Sequence, residues 1–232
     1  MTKDALYPQP PHLSISIWSP DDEESVFGRA CDVAVELGCR PSGVARLAPR
    51  GEPFELVHDL EATTEQLAAA AFETAVHGGG PLRAVKAGFQ SKAWGTVIVE
   101  HTLGPAAEPH PTAISLSGDL LSPLESQSRS ERRAAQKLSE WSVEVLRELS
   151  ARCSARYGTI AVEVSMPTPA GLRAGERLQG DIFVAAEIDR FRAAFGPVGG
   201  VVWPQGEFFS RPPVDDRALA SGCVALGYAL AP

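Results

Sequence analysis

SRSERRAAQKLSEWSVEVLRELSARCSARYGTIAVEVS, residues 128–165, is the stretch whose reading decides the fold. Ser128 and Glu131 have the spacing of a capping box, in which each side chain satisfies the other's free backbone N–H at a helix start. Ala134, Leu138, Trp141, Val145 and Leu149 then recur three or four residues apart, with Ala135, Leu146 and Cys153 alongside. That is one apolar stripe at helical period. Arg132, Arg133, Lys137, Glu140, Glu144, Arg147, Glu148 and Arg152 fill the opposite face, and Arg156 suits the negative pole of the helix dipole. Gly158 reads as the stop. Thr159 to Ser165 then alternates Ile160, Val162 and Val164 against Thr159, Ala161 and Glu163, the period of a strand with one covered face. Such a helix is roughly 40 Å long at 1.5 Å per residue, enough to cross a sheet. The stretch predicts the core helix of an α+β domain, and it supplies no chemistry of its own.

Outward from it, the N-terminal side begins with a strand, where Leu13, Ile15 and Ile17 alternate with Ser14, Ser16 and Trp18. A helix follows with Ser19 as cap, Pro20 at its first position, and Asp21, Asp22, Glu23 and Glu24 where the dipole favours carboxylates. Val26, Phe27, Ala30, Val33, Ala34 and Leu37 form its stripe and Gly38 ends it. Val44 to Leu47 and Phe54 to His58 read as short strands about a proline-rich turn. Thr63-Thr64-Glu65-Gln66 offers a second capping box for a helix that ends at Gly78. Leu82–Phe89, Ala93–Leu103 and Thr112–Ser117 form a meander, and residues 117–128 are the most linker-like stretch. Beyond the long helix come a polar loop at 166–180, a strand at 181–188, a short helix at 189–195, a hairpin at 200–210, and a tail that turns from helix to strand at Cys223. This order predicts an α+β protein, mostly antiparallel, with helices on one face; two ferredoxin-like halves are an admissible alternative. The expected division is an acidic N-terminal lobe over 1–122 and a C-terminal lobe with the long helix over 123–232, or one continuous domain.

The chain carries a net charge of −8, unevenly spread. Through Glu125 there are 8 Lys and Arg against 17 Asp and Glu, so that part carries −9 and the remainder +1. Phosphate binding needs clustered Lys and Arg, so no nucleic-acid partner is expected; a basic protein partner fits, and so does plain solubility. Cys31, Cys39, Cys153 and Cys223 show neither disulfide-scaffold nor C-x-x-C spacing. No apolar run reaches the length of a membrane span, and Met1 to Pro11 lacks the apolar segment of a signal peptide. A cytoplasmic location without cofactor or metal is the expectation.

The sequence carries no recognisable catalytic motif. His77-Gly78-Gly79-Gly80 has the composition of an esterase oxyanion loop, but no Gly-x-Ser-x-Gly elbow accompanies it and it follows a helix. Neither phosphate-binding nor dinucleotide-binding glycine motifs occur. Glu100 and His101 are sequence neighbours on a strand and point to opposite sides of the sheet. His101, Asp119 and Glu163 are the candidates for a catalytic or ligand site, and His101, His110 and Asp119 for convergent metal ligands. The partner-binding candidates are Asp21, Asp22, Glu23 and Glu24, together with the hairpin residues Trp203, Gln205, Glu207 and Phe208. Helix capping is the simpler account of the acidic group, and core packing is the commoner use of the aromatic one.

In size, acidity and the helix-then-strand passage from Trp141 to Val164, the chain resembles the small α+β immunity partners of bacterial toxins. That resemblance implies a non-catalytic, immunity-like protein that binds another protein; a homo-oligomer is compatible with it. The alternative is a small enzyme or ligand-binding protein with its site between the sheet and the long helix, covered by the 166–180 loop.

Overall fold

The computed structural model of the chain describes residues 3–50, 62–102, 108–121, 128–185 and 200–209. The strands are β1 (His12–Trp18), β2 (Cys39–Pro49), β3 (Thr63–Gln66), β4 (Leu82–Ser91), β5 (Gly95–His101), β6 (Thr112–Ser117), β7 (Tyr157–Val162), β8 (Asp181–Ala185), β9 (Gly200–Trp203) and β10 (Gly206–Phe209). The helices are α1 (Glu23–Glu36), α2 (Ala69–His77), α3 (Arg129–Arg152) and α4 (Pro169–Arg173). All ten described strands join one sheet in the order β3-β2-β4-β5-β6-β1-β7-β8-β10-β9, and every pairing among them is antiparallel. The predicted α+β architecture is thus the one the chain adopts. Strands from both sides of residue 122 lie in this sheet, joined through β1, whose Ile15 pairs with Ile114 of β6 and Ile160 of β7.

One face of the sheet is covered by α1, α2 and α3. Leu13, Ile15, Ile17, Val97, Val99, Ile114, Leu116 and Ile160 are buried there against Phe27, Phe72, Leu138, Val145, Leu146 and Leu149. The capping box forms: Glu131 N–H donates to Ser128 Oγ at 3.3 Å, and Glu131 Oε2 accepts from Ser128 N–H at 2.5 Å. With 24 residues α3 is about 36 Å long. Trp141 is half-buried on the core; its indole N–H donates to the Leu37 carbonyl at 3.3 Å and its ring lies 6.1 Å from that of Trp94. Near the other end of α1, Cys153 Sγ meets the Val26 carbonyl at 3.9 Å, so α1 and α3 run antiparallel.

Several local expectations are corrected. The helix ends at Arg152 with Cys153 as its C-cap, followed by Ser154 with a left-handed φ of 48°, and Gly158 lies inside β7. A Cβ at Gly158 would stand 2.8 Å from both Leu146 Cδ1 and the Ser16 carbonyl, so this glycine lets α3 press onto the sheet. Strand β7 is buried on both faces, because residues 166–178 cover the second one: Met166, Leu172 and Leu178 pack there on Tyr157, Ile182 and Val184. The same segment carries α4. Helix α1 starts at Glu23 with Asp22 as its cap, while Ser19 Oγ accepts the Asp21 N–H. Thr63–Gln66 is the edge strand β3 and no helix cap; α2 begins after Ala68, which offers no side-chain cap. β2 is one long strand of 11 residues, whose register with β4 shifts between Pro41 and Ala45 and again between Arg46 and Leu47. The expected strand at 54–58, the helix at 189–195 and the tail lie outside the described residues.

The contact at Gly158 yields a stability test. Gly158→Ala, which forces Leu146 or the β1 backbone to shift, is expected to cost about 1–3 kcal/mol in urea unfolding, and Leu146→Ala roughly 3 kcal/mol. Arg133→Ala on the exposed face should stay within about 0.5 kcal/mol of the parent.

Candidate functional site

Among the described residues the polar groups converge most closely at the start of α1. Glu23 is the first residue of that helix and lies one turn before Phe27, so the spacing that turns Phe27 toward the sheet turns the carboxylate there too. Its Oε1 accepts the backbone N–H of His110 at 2.6 Å and lies 2.7 Å from His110 Nδ1. Its Oε2 accepts from Arg83 of β4 at 3.2 Å. His101 closes β5 beside them, its ring centroid 6.3 Å from that of His110 and 5.1 Å from Phe27, and its Nδ1 3.3 Å from Thr112 Oγ1. Arg83, His101 and His110 are all buried.

This environment sets the protonation states. Burial by itself would raise the Glu23 carboxyl, but the hydrogen bond from the His110 ring, the charge that His101 gains only in acid, and the His110 amide together bring it down to about 2. Burial pushes His101 down to about 4; Glu23 opposes that shift while Arg83 and His110 add to it. The site is therefore an ionised carboxylate shared by a guanidinium and an imidazole, next to a neutral histidine. A carboxylate on a histidine Nδ1 is also how general bases are oriented, but the His110 side chain is only 4% exposed.

The candidates His101, Asp119 and Glu163 are not brought together. His101 pairs with Thr112 at one end of β6, whereas His12, bonded to Glu163, pairs with Ser117 at the other. Five strand residues separate these ends by about 17 Å. Asp119 is exposed just beyond Ser117, so the proposed ligand trio of His101, His110 and Asp119 is divided as well. No group of three His, Cys, Asp or Glu among the described residues is placed to hold a metal ion. Glu163 has a left-handed φ of 55°, and its carboxylate accepts the His12 N–H at 2.5 Å. Glu100 turns to the second face and pairs with Lys86 at 2.8 Å, opposite in direction to His101, as alternation predicts. The space between α3 and the sheet is filled by fully buried Leu138, Val145, Leu146 and Leu149. The 166–180 segment is tied down: Glu108 accepts from the Ala170 N–H at 2.8 Å and pairs with Arg173, and Tyr157 OH donates to the Pro167 carbonyl at 3.0 Å.

The expected partner-binding residues divide. Asp21 pairs with Arg29 at 3.0 Å, Asp22 caps α1 through the Ser25 N–H, and Glu24 pairs with Arg50 at 2.9 Å. In the hairpin, Gln205 donates to the Arg147 carbonyl at 3.1 Å and Phe208 is in the core; the side chains of Trp203 and Glu207 lie outside the described residues. The outer surface of α1 and α2 exposes Asp22, Asp32, Glu36 and Glu73. There Asp32 and Glu73 flank His77 at 3.3 and 3.4 Å, and Val35 is 45% exposed beside them on α1. Sequence reading missed Arg83 and the Glu23–His110 contact, whose partners stand 87 residues apart; the one available signal was the shared helical face of Glu23 and Phe27.

No family model and no curated protein matches the chain. Among solved structures it is similar to the Pseudomonas aeruginosa T6SS protein PA0821, over 84% of this chain and 64% of that one, at 10% identity and a TM-score of 0.41. The chain therefore spans less than two thirds of that structure's length. No described helix is long and apolar enough to cross a membrane.

Replacing Glu23 tests the site's electrostatics. Because its carboxyl is held below its ordinary value, its contribution is complete above about pH 4.5 and is lost as pH falls through about 2. Glu23→Gln, which removes the negative charge beside Arg83 and His110, should cost roughly 2–3 kcal/mol at neutral pH and flatten the acid limb of a stability profile between about pH 4.5 and 2.

Proposed function

We propose that this protein is a non-catalytic bacterial binding protein of the immunity or antitoxin kind, which engages a basic protein partner through its acidic N-terminal half. The observation that carries this reading is the outward acidic surface of α1 and α2, where Asp22, Asp32 and Glu73 are exposed and Glu36 pairs with Arg152, in a segment that carries net −9 through residue 125. Complementary charge of this kind raises association rates and selects partners more than it adds raw affinity. The closest-knit polar cluster, by contrast, is turned inward: the carboxylate of Glu23 is committed to Arg83 and His110, and His110 has little open surface for a substrate. Asp22 is the member of the expected acidic group with the freest outlook, since Asp21 and Glu24 are each tied to an arginine of this chain.

The test is co-expression with the products of adjacent genes and titration of any complex formed. A basic partner should bind with an affinity that drops steeply with salt. Asp32→Lys combined with Glu73→Lys should slow association at least about tenfold while the fold is retained. Failure of every neighbouring product to bind, or binding indifferent to salt and to these reversals, rejects the reading.

A further inference from the structure

We propose that the outer face of the helical layer binds a second copy of this chain in a two-fold dimer, with the basic first half of each α3 seated on the acidic α1–α2 surface of the other copy. Residues 129–137 hold four Lys and Arg, and their single acid, Glu131, is committed to the Ser128 cap. Arg129, Arg133 and Lys137 follow one another at intervals of four, so they form one row along α3, and all three are exposed. Among the described residues no acid pairs with any of them. Like charges at this spacing weaken a helix, and an anionic surface laid on the row reverses that cost.

The acids of the same chain are out of reach. Trp141 meets Leu37 at the end of α1, and Cys153 meets Val26 near its start, so the first half of α3 runs on past the end of α1. That alignment sets Arg133 and Asp32 about 20 Å apart along the helices. The layer thus has a basic end on α3 and an acidic end at Asp32 and Glu73. Val35, in the last turn of α1 and 45% exposed, stands between them. Turning a second layer by half a turn about an axis near Val35 lays each basic end on the other copy's acidic end, so every contact is made twice. The two Val35 side chains then meet at the centre, where an interface keeps its apolar contacts. A uniformly anionic partner such as nucleic acid would meet the row and then the acids beside it, whereas a second copy offers both signs in reversed order. The Asp32 and Glu73 surface is also the one assigned above to a basic partner, so a partner bound there excludes the second copy.

Sedimentation of the full chain over a concentration series should show a monomer–dimer equilibrium. Arg133→Glu with Lys137→Glu should weaken it at least about tenfold, and so should Asp32→Lys with Glu73→Lys. An equimolar mixture of these two variants should recover a dimer as tight as the parent's, because in the mixed pair every reversed row again faces its opposite. Should a reversed variant not fold, Arg133→Ala with Lys137→Ala takes its place and must still weaken self-association. A parent that stays monomeric up to about 1 mM, reversals that leave the dimer unchanged, or a mixture that stays monomeric overturns the proposal. Arg133→Glu with Lys137→Glu leaves the acidic surface intact and should still bind a basic partner, so failure of the dimer and failure of the partner reading are told apart.

Discussion

The first strand is the constraint on which everything else rests. β1 lies in the middle of a ten-stranded sheet, hydrogen-bonded to β6 on one side and β7 on the other, with Leu13, Ile15 and Ile17 wholly buried beneath the helices. Without it the β2 to β6 group and the β7 to β10 group would share no backbone pairing within the sheet order. Each group would also present a raw edge at its most apolar point, which sheets avoid. An α3 of about 36 Å packs against β1 and β7, with its leucines fully buried in the shared core.

What could be read directly from the residues was whatever depends on neighbours in sequence. The period of Leu138, Val145 and Leu149, the Ser128 and Glu131 cap, and the alternation in β1 and β5 each involve contacts within a turn or a pleat, so they survive folding unchanged. Gly158 shows where such reading stops. Glycine serves both as a helix terminator and as a place where another element comes close, and only the positions of Leu146 and Ser16 decide between them. Thr63–Gln66 is a similar case: its spacing suits a cap, but pairing with β2 outweighs that local preference. The Glu23 cluster was less legible still, because its partners come from four distant segments and only one of them, Glu23, sits in a recognisable pattern.

Alternate residues of one short acidic run therefore serve different ends. Asp22 faces water and caps a helix, whereas Glu23, its next neighbour, is drawn under α1 to neutralise Arg83. A helix start makes this division natural, since successive side chains leave the axis about 100° apart and each can find a different environment. The acidity of the N-terminal half thus combines an internal structural component with an external one that faces solvent.

The central placement of β1 also governs how the chain is made. Ile15 leaves the ribosome roughly a hundred residues ahead of Ile114 and still further ahead of Ile160, the two residues it must sit between. At ordinary synthesis rates the first of these partners arrives about five to twenty seconds later. Throughout that wait the nascent chain holds an apolar strand with neither edge satisfied. Its contacts are overwhelmingly non-local, the kind of topology that folds slowly. The organising strand of the finished molecule is thus the most vulnerable segment of the unfinished one.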